Sequence, residues 1–452
     1  MKIPKAIRTI GFITAAIFAS KLAGMARDIL FANFYGASEL TDAYLAAARI
    51  PLLFFDLTLG AAVLSAFIPV FNELLTSSDG DEAKSKAAAF KFASNFFNTV
   101  LVISTVFTCA GMIFARPIIG LFAPGLTASG LNLGAILLII MLPTMIFTAL
   151  AYVFAGVLQS LGEFNVPALI SLISNIAVII YLLAFNGRFG IYGMAAAILL
   201  GWGLQVAVQI PSLIKHKFRY TLTLNLRDPS LRASAKMAIP ILISAWVQPI
   251  CVAINTRFAS YLDAGAISAL DYANKIYIMI VGIFSFAITN YIFPKLSQLS
   301  ALGAEGAAKR GKLLRQSIGG LSVIIIPIML AMIFFAHPLI KLVYGRGAFT
   351  ADNINAAAAA LFGYSFGMLA LGINEILNKA FYAEKDGKTP MLSSIAGIAL
   401  NIATVLWLQS AGRLSIVTLA LAQAVSSNVI MLFLIIKIRK KSRDNVPVIP
   451  PS

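Results

Sequence analysis

Six basic side chains sit inside long apolar stretches of this 452-residue chain: Lys21, Arg27, Arg49, Arg257, Lys275 and Lys379. A cation at the centre of a membrane helix costs about 2.5–3.5 kcal/mol on insertion scales, so each should face water, an acid or an anionic ligand. Their spacing sorts them. At about 100° per residue, Ser20, Lys21, Gly24, Arg27 and Asp28 fall within about 120° of arc, and Leu22, Ala23, Met25 and Ala26 take the remainder. One stripe thus carries two cations and a single acid. Asp28 can neutralise Lys21 or Arg27 but not both, so a ligand-facing role is the expectation for Arg27. Asp42, Arg49 and Asp56 lie seven residues apart, a pattern that suits an internal ion pair as well as a ligand site. Asp271 and Lys275 are four apart in the favourable acid-first order, with Asn274 beside them. Glu375 and Lys379 repeat that spacing, and there an internal pair is the simpler reading. Arg257 has only Asp263 nearby. Asp28, Asp56, Asp271 and Glu375 set against the six cations leave a positive excess, which is the chemistry of a pocket for an anion.

Other chemistries find little support. Cys109 and Cys251 both lie in apolar segments and read as core residues, with no disulfide or metal framework. His216 and His337 sit near segment ends without Cys, Asp or Glu at ligand spacing. No metal or cofactor is expected. No nucleophile elbow, phosphate-binding loop, zinc motif or paired-carboxylate motif occurs in a suitable context, so the chain does not read as an enzyme.

The elements that must position these side chains follow from composition. Apolar residues make up 60% of the chain and charged residues only 12%, against about 25% charged in soluble proteins. The mean hydropathy is +0.89. A bilayer core needs roughly 20 helical residues per crossing, and twelve such spans can be laid down: 7–33, 42–72, 86–115, 132–159, 165–186, 190–214, 233–261, 267–295, 312–337, 352–383, 389–409 and 414–437. The N-terminal stretch continues as the first span rather than as a cleaved leader. With the N-terminus inside, 24 cations fall on the inner side, clustered at Lys215–Lys236 and Lys437–Arg443 among other places. The outer side holds 5: Arg116, Arg188, Lys341, Arg346 and Arg413. That bias places both termini in the cytoplasm and accounts for most of the net charge of +17 without nucleic acid as a partner.

The halves also repeat. Phe114-Ala-Arg-Pro matches Phe335-Ala-His-Pro, Ser65–Pro69 matches Asn290–Pro294, and Pro167 matches Pro390, all at nearly one offset. The expected fold is an all-α polytopic membrane protein of about twelve transmembrane helices. They form two six-helix bundles related by a pseudo-twofold axis along the membrane normal, facing a central cavity. The bundles are residues 1–214 and 233–438, joined by a cytoplasmic linker at 215–232, with a basic tail at 439–452.

A family is visible in these strings. Ser20-Lys-Leu-Ala-Gly-Met-Ala-Arg-Asp28, Tyr35-Gly-Ala, Thr41-Asp-Ala-Tyr44 and Arg49-Ile-Pro51 resemble the N-terminal signature of the MviN/MurJ lipid II flippases. These belong to the multidrug/oligosaccharidyl-lipid/polysaccharide exporter superfamily. Ile254–Ser260, Ile267–Lys275 and Phe293-Pro-Lys295 extend the resemblance over nearly the whole chain. It implies a multi-pass protein of the bacterial plasma (inner) membrane that moves undecaprenyl-pyrophosphate-linked peptidoglycan precursor from inner to outer leaflet. Implied partners are that lipid-linked anionic substrate, membrane lipids and cell-wall synthesis proteins. Lys21, Arg27 with Asp28, and Lys275 would meet the pyrophosphate, with Arg49 and Arg257 as further candidates; Lys21 and Lys275 stand where members usually carry Arg. A flippase for another lipid-linked oligosaccharide, or a multidrug antiporter, is the alternative within the superfamily. Three features depart from the pattern. Phe55-Asp56 stands where members carry Arg-Arg, Asn274 replaces an Asp, and twelve spans are laid where members have fourteen.

Overall fold

The computed structural model describes residues 5–52, 66–76, 82–245, 247–302, 304–384 and 386–444. Among these, regular structure is helical throughout and no strand occurs. The chain forms two compact units, Met1–Ala253 and Ile254–Ser452.

In unit 1 the long helix α1 (Lys5–Tyr35) packs along α8 (Asn165–Ala184), which in turn packs on α9 (Asn186–Ala207). Helix α2 (Glu39–Pro51) lies on α6 (Ala128–Met141), and α4 (Glu82–Ile113) packs on α3 (Ile68–Thr76) and α7 (Thr144–Ser160). The remaining elements are α5 (Ala115–Phe122), α10 (Ile210–Lys215), α11 (Pro229–Ala245) and α12 (Val247–Ala259), which runs across the boundary of the units. Local chemistry sets the ends. The Ser38 hydroxyl accepts from Thr41 N–H at the start of α2, and Thr127 Oγ1 accepts from Gly130 N–H at the start of α6, each satisfying an otherwise orphaned donor. Pro143 separates α6 from α7 because it has no N–H to continue the ladder. The interior is aromatic. Phe67 stacks on Phe92 and Phe71 at 5.4 and 5.5 Å between ring centroids, within a buried cluster that takes in Val153, Val157 and Leu158.

Unit 2 is built from α13 (Ala266–Ala301), α14 (Ala304–Phe334), α15 (Ala336–Tyr344), α16 (Ala351–Ser365), α17 (Met368–Ala383), α18 (Lys388–Ser410) and α19 (Ile416–Asp444). Helix α13 packs on α16, α17 and α14, while α19 packs on α16, α17 and α18. Glycine permits the closest crossing: a Cβ on Gly363 would lie 2.6 Å from Ala420 Cβ, inside contact distance, as expected where small residues let membrane helices approach.

The internal repeat is visible in local geometry within each unit. A long helix breaks at Phe114 (φ −100°, ψ 19°) before α5, and another breaks at Phe335 (φ −117°, ψ 25°) before α15. Thr127 caps the next helix in unit 1, and Thr350 caps it in unit 2. Each of those helices then breaks, at Pro143 in one and next to Gly367 in the other, where α16 and α17 are bent by 47°.

Eight helices among the described residues are long and apolar enough to cross a membrane, or nine if the bent pair α16–α17 is one span. Three expected spans are not among these: 7–33 coincides with the charge-bearing α1, 42–72 runs through residues outside the description, and 233–261 is divided between α11 and α12. One expectation is corrected. Cys109 is exposed on α4, beside exposed Val106 and Phe107, rather than part of the core. Apolar sequence marks burial in a soluble protein, but on a membrane helix it also marks the face turned to acyl chains. The Cys251 side chain lies outside the described residues.

Candidate functional site

In unit 1 the site is assembled from α1 and α8. Asp28 Oδ1 accepts from Arg27 Nε at 3.2 Å and from Nη2 at 3.0 Å, so adjacent residues form a two-point ion pair. The Arg27 side chain is 31% exposed and that of Asp28 is 16% exposed. From α8, Asn175 Oδ1 accepts from Arg27 Nη1 at 2.9 Å, and Asn175 Nδ2 donates to the backbone oxygen of Ser20 at 3.1 Å. One amide therefore holds both the guanidinium and the α1 backbone two turns before it. Gly24 faces Asn175, and a Cβ there would be in ordinary contact with Asn175 Nδ2 at 3.5 Å. Lys21 is exposed on the same helix, and Arg49 is half-buried near the end of α2. Asp42, one of the two acids set seven residues from Arg49, is buried; Phe55 and Asp56 lie outside the described residues.

In unit 2 the expected pair on one helix is present: Lys275 Nζ lies 2.9 Å from Asp271 Oδ2, one turn apart on α13. Their intervening neighbour Tyr272 is fully buried against Tyr344 and Phe349, at 4.9 and 5.4 Å between centroids. That packing anchors the turn carrying the pair, and the lysine head stands 5.8 Å from the Tyr272 ring centre. Asn274 Oδ1 is buried without a hydrogen-bond partner among the described residues. Arg257 is half-buried in the last turn of α12, where its carbonyl accepts from Ser260 Oγ at 2.6 Å. Lys379 lies over the Phe293 ring, 5.5 Å from its centre.

The sequence singled out Arg27, Asp28, Asp271 and Lys275, and the structure joins them pairwise. It overlooked Asn175, the residue that fastens Arg27 to a second helix. The available signal was an amide in an otherwise apolar span, at nearly the repeat offset from the buried Asn401 of α18. With Asp28 taken up by Arg27 and Asn175 neutral, the positive charge left on the α1 stripe is that of the exposed Lys21.

The model of the lipid II flippase MurJ family matches residues 31–447. The chain belongs to that family. A lipid II flippase MurJ from Burkholderia cenocepacia is 28% identical over 445 residues, covering 96% of this chain and 84% of that one. A probable lipid II flippase MurJ from Buchnera aphidicola subsp. Acyrthosiphon pisum is 30% identical over 390 residues, 84% of this chain and 74% of its own. Among solved structures, a lipid II flippase MurJ in an inward closed conformation superposes with a TM-score of 0.82 at 26% identity, covering 95% of this chain and 88% of that one. A multidrug resistance transporter of the MATE family superposes with a TM-score of 0.75 at 13% identity, covering 94% and 95%, which is a likeness of fold alone. The family places the chain among multi-pass membrane transporters. The stretch matched by the MurJ model begins just after Lys21, Arg27 and Asp28, so the roles of these residues rest on their chemistry.

Proposed function

We propose that this chain translocates lipid II, the undecaprenyl-pyrophosphate-linked peptidoglycan precursor, from the inner to the outer leaflet of the bacterial plasma membrane. The observation that carries the reading is its membership of the MurJ family over residues 31–447. The pyrophosphate is held by Lys21, Arg27, Arg49, Arg257 and Lys275, with Asp28 orienting the Arg27 fork. Arginine suits a phosphate because its planar donors can bind two oxygens at once, whereas the lysines act as point charges. Arg27, braced by Asp28 and Asn175, is preorganised for that task. Alternating access of the halves 1–214 and 233–438, joined by the linker 215–232, carries the headgroup across. Both termini lie in the cytoplasm, in keeping with the 24 cations against 5. Each net charge moved is worth about 2.3 kcal/mol per 100 mV of membrane potential. The enzymes that make and consume the lipid-linked wall precursor are its expected neighbours.

The test is lipid II retention by the purified protein in native mass spectrometry, with an abundant phospholipid as competitor. Wild type should retain lipid II selectively, and Arg27→Ala should lower retention about tenfold, equivalent to about 1.4 kcal/mol. Unchanged retention in a folded Arg27→Ala protein would remove the pyrophosphate site from α1. No preference for lipid II in wild type would defeat the substrate assignment.

A further inference from the structure

From the last residue of α10 to the second turn of α11 the chain carries one acid, Asp228, amid six cations: Lys215, Lys217, Arg219, Arg227, Arg232 and Lys236. This segment is fastened to α4 by a row of amides and a hydroxyl. Thr221 N–H donates to Ser94 Oγ at 3.1 Å, and Asn225 N–H donates to Asn95 Oδ1 at 2.7 Å. Asn95 Nδ2 returns a bond to Asn225 O at 2.9 Å, and Asn98 Nδ2 donates to Thr223 O at 2.8 Å. Tyr220 OH donates to Asn98 Oδ1 at 2.7 Å. Ser94, Asn95 and Asn98 are buried. Alternate residues point the other way: Leu222 is 88% exposed, Leu226 62% and Leu224 55%. The backbone, turned at Leu222 where Thr223 N–H donates to Thr221 O at 2.9 Å, thus has its bonds on the α4 side and its leucines on the other.

Water is a poor solvent for such a row of leucines, and depth supplies the alternative. About 20 helical residues cross the hydrocarbon core, and 20 residues back from Phe114, at the far end of α4, lies Ser94. The last exposed cation of α4 is Lys91, and its exposed large apolar residues begin at Val102. The bonded segment is level with the stretch between them. Ser94, Asn95 and Asn98 then have a physical reason to be polar and buried, because irregular backbone near lipid must have its N–H and C=O groups satisfied by protein.

We infer that Tyr220–Leu226 is an interfacial rib whose leucines enter the acyl region of the cytoplasmic leaflet, while the flanking cations bind anionic phospholipid headgroups. The leaflet assignment rests on the orientation given under the proposed function. The full chain, in a Cys109→Ser/Cys251→Ser background, is spin-labelled at Leu222→Cys or, as a second site, Leu226→Cys, in nanodiscs of phosphatidylcholine and phosphatidylglycerol. The nitroxide should collide with oxygen more than with a water-soluble nickel chelate. Phosphatidylglycerol retention in native mass spectrometry should fall about fivefold for each cation removed in Lys215→Gln/Arg219→Gln/Arg227→Gln. A label open to nickel at both sites, or retention of phosphatidylglycerol unaltered by the triple substitution, would overturn the rib. The same preparations are scored for lipid II. A nickel-accessible label with lipid II selectivity intact defeats the rib alone, whereas a lipid-embedded label with no lipid II selectivity defeats the flippase reading alone.

Discussion

Units 1 and 2 hold their intramembrane cations differently. In unit 1, Arg27 is bonded both to its neighbour Asp28 and, through Asn175, to a second helix. In unit 2, Lys275 pairs with Asp271 one turn away on its own helix α13, with the buried Tyr272 between them. At a second place in each unit the arrangement reverses. Unit 1 fastens residues 220–225 to α4 with neutral amides and hydroxyls. Unit 2 uses charge: Glu384 Oε1 lies 2.9 Å from Arg310 Nη1, and Oε2 lies 2.6 Å from Lys441 Nζ. Three helices meet at a carboxylate only 8% exposed. A buried carboxylate tolerates desolvation when two cations surround it, and its removal strands them. Cross-helix connection is therefore supplied by an amide at Arg27 and by full ion pairing at Glu384.

The largest effect expected from this contrast is structural. Glu384→Ala strands the buried Arg310 and should destabilise unit 2 by about 3 kcal/mol or more, read as a lower midpoint in thermal unfolding in detergent. A shift no larger than that of an exposed control substitution would show that Arg310 is already solvated.

A chemical change in unit 1 should come next. Asn175→Asp puts a second carboxylate on Arg27 without changing side-chain size, which should cut lipid II retention about tenfold, or about 1.4 kcal/mol, in a protein that still folds. Retention at the wild-type level would mean that the Asn175 side of Arg27 does not face the anion. Asp271→Asn in unit 2 should be milder. The pair lies on one helix with the lysine one-third exposed, so stability should fall by no more than about 0.5 kcal/mol. A loss as large as that from Glu384→Ala would make the two units alike after all.

The smallest effect concerns pH. Burial pushes Asp386 upward, but the backbone and side-chain hydrogen bonds from Thr389 and the charge of Lys441 outweigh it and hold its carboxyl below the usual range. A depressed carboxylate contributes stability above its unfolded value and loses it as pH falls through the folded one. Unfolding midpoints should thus be insensitive to Asp386→Asn at acid pH below the usual Asp range, and should fall slightly on that substitution at neutral pH. The opposite ordering would show that its burial dominates.

Much of the architecture was legible beforehand. The acid-first spacing of Asp271 and Lys275 became a measured ion pair, and the repeated Phe-Ala-x-Pro strings became matching breaks at Phe114 and Phe335. Both are local: one turn of helix or one break defines them, so residue order suffices. Cys109 shows where such reading fails, because hydropathy is the same for a side chain facing protein and one facing lipid.

What the sequence determined alone was the all-helical, membrane-spanning character of the chain, the repeat, and which side chains carry charge into the apolar layer. Composition and periodicity fix these because every backbone group in lipid must be satisfied within its own helix. Only the tertiary structure decided that Arg27 is shared between Asp28 and Asn175, and that Ser94, Asn95 and Asn98 receive the segment after α10. Arg27 and Asn175, like the α4 side chains and the segment they receive, are more than a hundred residues apart in sequence. Their meeting depends on which helix faces pack together, information that no single helix contains.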